Sequence, residues 1–202
     1  MCIRDRFKDE YPKELGGLLW MTMGNPEHSV YLPSFGNIND TADAYQVEAI
    51  DYNADSAYWK FRSLSAVAEL NREMYGAGIR AYWDAYEDAL IAQQEQTDDT
   101  VVALMAKSED KAAAYTTELA ETIANDAMSK ADLMFSELMG YIAKNKTTDA
   151  FVPSVMAEFE TKEETTETVP ATEVAPAETT ATTETAAEST TEAAPAAEAA
   201  AE

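Results

Sequence analysis

Leu15-Gly16-Gly17-Leu18-Leu19-Trp20-Met21-Thr22-Met23-Gly24, followed by Asn25-Pro26-Glu27-His28 and Ser29-Val30-Tyr31-Leu32-Pro33, is the stretch on which the fold turns. Two short β-prone runs flank a Gly-Asn-Pro turn cluster, which predicts a hairpin or a pair of neighbouring strands. Pro33 is expected to end the second strand, because it has no N–H to give to a ladder. A lone strand pair is marginal in water. These strands therefore predict a larger sheet, with most of it encoded upstream of Leu15.

Downstream the apolar period changes from two residues to between three and four. Residues 34–53, rich in Asn, Asp and Gly, read as a surface loop with a short helical turn near 42–49. Asp55 is a candidate N-cap for a helix from about Ser56 to Tyr75, whose face carries Ala57, Phe61, Leu64 and Ala68. Gly76 and Gly78 are expected to interrupt it. A second helix is predicted from Ile79 to Gln96, with Tyr82, Trp83, Tyr86 and Leu90 on its apolar side. Thr97-Asp98-Asp99-Thr100 reads as the cap of a short third helix. Ser108 caps a long one over Glu109 to Lys144, striped by Tyr115, Leu119, Ile123, Ala127, Ala131, Met134, Leu138 and Tyr141. The apolar faces of these three or four helices must pack on one another or cover the missing sheet.

The chain has 202 residues, with 38 acidic against 14 basic side chains, a net charge of −24. That balance, without any Lys/Arg cluster, excludes a nucleic-acid footprint. No apolar run is long enough to span a bilayer, so membrane insertion is not expected. Residues 158–202 are rich in Thr, Glu, Ala and Pro, and from Thr161 onward they contain no aromatic. Such a segment buries too little to offset its backbone entropy and reads as a disordered acidic tail, a stalk composition commoner outside the cytoplasm. With one cysteine there is no internal disulfide, and thiol usage does not place the chain in a compartment.

Catalytic chemistry is thinly represented. His28, the one histidine, sits in the turn without a second His or Cys at ligand spacing, so it reads as a turn residue, and neither metal nor cofactor is expected. Glu69 with Glu73, and Asp84 with Glu87 and Asp88, could act as paired acids, but on helices with an apolar opposite side they read as a solvated surface. Trp20, Trp59 and Trp83 could line a cleft, with core packing the default. Cys2 would become an N-terminal nucleophile if Met1 were removed, its thiol attacking and its own amine taking the proton. However, Ile3-Arg4-Asp5-Arg6 does not read as a strand that could hold the thiol, and Met-Cys-Ile-Arg-Asp-Arg resembles a non-biological start. Residues 1–6 are therefore expected to be non-native and Cys2 not catalytic.

Taken in order, Pro12-Lys13-Glu14-Leu15-Gly16-Gly17, Leu19-Trp20-Met21-Thr22-Met23-Gly24-Asn25-Pro26, Ser29-Val30-Tyr31-Leu32-Pro33 and Tyr52-Asn53-Ala54-Asp55-Ser56-Ala57-Tyr58-Trp59-Lys60-Phe61-Arg62 resemble the C-terminal half of the N-terminal-nucleophile cysteine dipeptidases, the dipeptidase A and secernin family. The likeness covers about residues 7–157. It implies an α+β chain that is the C-terminal part of an αββα fold, here a strand pair followed by three or four helices. It also implies a parent enzyme that hydrolyses dipeptides through a processed N-terminal cysteine whose free amine is the base. No position matches that nucleophile motif, so no catalytic residue carries over and the chain alone is expected to be inactive. Two other readings fit the residues: a helical interaction module on an acidic stalk, and an amidase or acyltransferase of the same superfamily.

Overall fold

A computed structural model describes residues 2–6, 17–144 and 148–160, with residues 2–6 described in backbone only. The acidic tail from residue 161 onward lies outside the described residues, as do Pro12–Gly16. The fold is α+β and mostly helical. Three antiparallel strands, β1 (Cys2–Arg6), β2 (Leu18–Thr22) and β3 (Leu32–Phe35), form one sheet in the order β1-β2-β3. Then come α1 (Asp43–Gln46), α2 (Ala57–Ala68), a π-helical turn (Arg72–Gly76), α3 (Ala77–Met105), α4 (Glu109–Ala143), a 3-10 turn (Ser154–Met156) and α5 (Ala157–Glu160).

The sheet differs from its expectation in two ways. Residues 2–6, expected not to form a strand, run antiparallel to β2 with Cys2 opposite Thr22 and Arg6 opposite Leu18, so the pair is a triplet. Pairing with a neighbour, not local propensity, decides that assignment. Pro33, expected to terminate its strand, lies inside β3 opposite Trp20. The register explains why. The Gly36 amide donates to the Gly17 carbonyl at 3.0 Å, and hydrogen-bonded pairs alternate with non-bonded ones along an antiparallel ladder. Trp20 and Pro33 therefore face each other at a non-bonded position, where the proline nitrogen points away from β2 and no ladder bond is lost. Gly17 and Gly24 flank β2 with φ of 91° and 81°, the left-handed region glycine enters without a steric penalty.

The helices also depart from the sequence reading at identifiable places. Thr97 and Thr100, expected to open a new helix, return their hydroxyls to the Gln93 and Gln96 carbonyls at 3.1 and 2.8 Å, and Gln94 donates to Asp98 at 2.6 Å. With those side chains satisfied inside the helix, the two predicted segments fuse into one α3 of 29 residues. The break expected at Gly76 comes earlier. α2 ends at Ala68, its N-cap is Ser56 in place of Asp55, and Asn71 restarts the chain by accepting from the Met74 amide at 3.1 Å. The Ser108 cap and the one-turn α1 fall where the spacing put them.

The faces of α2, α3 and α4 meet one another. Phe61, Leu64 and Ala68 from α2, Ile79, Tyr82 and Trp83 from α3, and Ala127, Ala131, Met134 and Leu138 from α4 form the main core. Each fully buried large side chain contributes about 1.5–3 kcal/mol, and the alanines of α4 let the backbones approach. A second cluster joins the sheet to the far end of the α3–α4 hairpin: Leu18 and Phe35 close over Val101, beside Trp20, Met105, Tyr115 and Leu119. The segment after α4 straps the start of α3. The Phe151 amide donates to the Met74 carbonyl at 2.8 Å, Phe151 and Val155 are buried, and Phe159 lies 5.5 Å from the Tyr82 ring. Helical structure thus continues to Glu160, three residues into the stretch expected to be tail. No helix among the described residues is long and apolar enough to cross a membrane.

Candidate functional site

The turn Gly24–Tyr31 holds two buried polar side chains, His28 and Ser29. Asn25 shapes it. Its side-chain oxygen accepts from the Glu27 amide at 3.1 Å, and its carbonyl accepts from the His28 amide at 3.1 Å, so the chain folds back over Pro26. Two long helical side chains then hold the turn. Arg80, in the first turn of α3, donates to the Pro26 carbonyl at 2.7 Å and the Ser29 carbonyl at 3.3 Å. It is oriented by Asp84 at 2.7 Å and Glu87 at 3.2 Å. Glu87 also accepts from the Tyr31 amide at 3.1 Å. On the other side, Glu69 accepts from Asn25 Nδ2 at 2.5 Å, and Arg72 bridges Glu69 at 2.9 Å and Glu27 at 3.0 Å.

His28 lies between these two clamps, 1% exposed. Its Nδ1 is 3.2 Å from Glu69 Oε1 but makes no hydrogen bond there, because the contact lies off the line a bond requires. The other ring nitrogen faces Gly76, where a β-carbon would come within 2.3 Å. Burial is the largest influence on the imidazole and pulls its pKa below the usual histidine value, with Glu27 and Glu69 opposing. The hydrogen bond from Arg72 is the main reason that the Glu69 carboxyl titrates below the ordinary range.

The other sequence candidates are dispersed. Glu73 and Asp88 are exposed, while Glu69, Asp84 and Glu87 each pair with an arginine. None of these acids faces another across a cleft, so the paired-acid reading has no geometry behind it. Trp83 is core, Trp20 belongs to the sheet cluster, and Trp59 stacks edge-on against Tyr52 and Tyr58 at 5.6 and 5.2 Å on the surface. The three tryptophans share no pocket. Reading by sequence missed Arg72 and Arg80. Their i,i+3 and i,i+4 spacing to Glu69 and Asp84 was legible as helix-surface pairing, but the turn they hold was not.

Residues 3–85 match peptidase family C69. Over 141 residues the chain is 29% identical to probable dipeptidase B of Streptococcus pyogenes serotype M1, which takes in 70% of this chain and 28% of that protein. The counterpart in serotype M18 strain MGAS8232 is 31% identical over 140 residues, 69% of this chain and 27% of that one. Dipeptidase A of Lactobacillus helveticus is 25% identical over 137 residues, 65% and 28% of the two chains. The chain spans a little over a quarter of the length of these relatives. The turn and helices that build the site from Gly24 to Arg80 lie within the stretch, residues 3–85, that is similar to peptidase family C69.

Proposed function

We propose that this chain is the C-terminal part of a cysteine dipeptidase, forming wall and outer layer around a catalytic centre contributed by the remainder of the enzyme. The observation that carries the reading is the extended likeness to proteins named dipeptidase over about 140 residues, beside the family match over residues 3–85. In the parent, an N-terminal cysteine thiol would attack the carbonyl of a dipeptide. Its free amine would take the thiol proton and pass it to the leaving amine, and water would then release the acyl group. In this reading the present chain supplies no catalytic residue. Its contribution is to hold the sheet edge and the Gly24–Tyr31 turn in register.

In this reading β2 and β3 belong to one sheet of an αββα body, α2 to α4 form a covering layer, residues 7–157 belong to the dipeptidase domain, and the residues after Glu160 form a solvated tail. A chimera tests it. The corresponding C-terminal segment of the Streptococcus pyogenes protein is replaced by residues 7–160 of this chain, and hydrolysis of free dipeptides is followed beside the unaltered relative and the 202-residue chain alone. The expected result is thiol-dependent hydrolysis by the chimera and none by the chain alone. A well-folded chimera that has lost all activity would overturn the reading. Preference for N-acylated amines over free dipeptides would favour the amidase alternative.

A further inference from the structure

We propose that Glu27, His28 and Glu69 form a binding site for a divalent transition cation of the zinc class, with Arg72 as a built-in competitor for the same carboxylates. One ligand atom from each of the three residues lies within 4.8 Å of the others. His28 Nδ1 and Glu69 Oε1, 3.2 Å apart, already stand near the roughly 3.4 Å that separates two ligands of a tetrahedral ion with bonds of about 2.1 Å. The exposed Glu27 needs only a rotamer change to complete the set.

The observation that separates this cluster from an ordinary acidic surface is the imidazole. It is 1% exposed, its Nδ1 has no hydrogen-bond partner, and that atom lies within 3.2 Å of a carboxylate oxygen. A buried, unengaged ring nitrogen is costly unless something takes it up. A metal ion does so with the neutral form of the ring. The ring is also fixed in place, with Gly76 against one side and the turn that carries it held by Arg80 on two carbonyls. Imidazole with two carboxylates suits zinc, cobalt or nickel better than calcium or magnesium, and leaves a fourth position for water.

Arg72 supplies the competing charge. It contacts Glu27 Oε2 and Glu69 Oε2, not the oxygen that faces His28, and its side chain is 58% exposed, so it can swing into solvent. Asn25 Nδ2, which donates to Glu69 Oε1, uses one of that oxygen's two lone pairs. The ion would thus tie the turn to the junction of α2 and α3 in place of the guanidinium.

The test uses the full 202-residue chain, stripped with chelator and titrated with zinc chloride by calorimetry, with cobalt as a visible-absorption probe. The wild type is expected to bind one saturable equivalent and to give the absorption of a four-coordinate nitrogen–oxygen cobalt site. Glu69→Gln, at a half-exposed position, should abolish that equivalent, as should His28→Gln where circular dichroism shows it folded. Arg72→Ala should tighten binding at least fivefold, an effect a merely structural ion pair would not produce. An isotherm unchanged by Glu69→Gln assigns any bound metal to Cys2 or the acidic tail and overturns the proposal. So does an Arg72→Ala chain that binds no more tightly than the wild type.

Discussion

Gly76 and the imidazole of His28 are in such close contact that a β-carbon at position 76 would sit 2.3 Å from Nε2 and 3.0 Å from Cδ2. No real β-carbon tolerates that approach. The ring cannot yield easily, since it is buried between Glu69, Gly76 and its own turn. The π-helical turn that ends at Gly76 therefore brings backbone, not side chain, against the histidine.

Gly76→Ala is expected to destabilise the fold by about 1–3 kcal/mol, the range for overpacking a filled interior. In a chain of this size that lowers the melting temperature by roughly 2–4 °C per kcal/mol. The check is a double-mutant cycle with His28→Ala. Because the two residues touch, the second substitution should recover part of the loss caused by the first. Strictly additive losses would mean that the contact is not the cause.

Acidification should weaken the fold through His28. Its folded pKa lies below the ordinary value of 6.5, chiefly because burial disfavours the imidazolium. The unfolded chain then takes up the proton first, so the stability held above pH 6.5 is lost as pH falls from there toward the folded pKa. Glu69 adds a loss at lower pH, since Arg72 holds its carboxyl below the usual range and that stabilisation fades only as pH falls through the folded pKa. Melting temperature measured between pH 7.5 and 5 should decline for the wild type and be flatter for His28→Gln. Parallel curves for the two proteins would contradict this account.

Arg80→Ala is expected to cost about 2–3 kcal/mol, because its fork satisfies two turn carbonyls and reaches Glu87, which in turn receives the Tyr31 amide. Charge-assisted bonds to charged groups contribute about 1.5–3 kcal/mol. Lysine should not rescue, since one ammonium does not reproduce the guanidinium's divergent donors. Denaturant melts of both variants, read with protease sensitivity of the 24–31 turn, decide the point. A lysine variant as stable as the wild type would reduce Arg80 to a surface charge.

Much of the helical architecture was legible because a stripe such as Ala127, Ala131, Met134 and Leu138 advertises its buried face at every turn. The fusion of α3 was not, because Thr97 and Thr100 carry the same hydroxyls whether they cap a helix or bond back within it. β1 was invisible for a related reason: five residues with three charges among them read as a strand only when β2 is placed beside them.

The site shows the same division. Sequence alone determined the family resemblance, the charge, the helix stripes and the presence of one histidine in an Asn-Pro turn, all properties fixed by residue order over a few turns of chain. Tertiary structure alone decided that Glu69 and Gly76 meet His28, and that Arg80 holds the Pro26 and Ser29 carbonyls of the turn. Those contacts join residues far apart in the chain, and local propensity carries no information about which distant backbone will close over a buried ring.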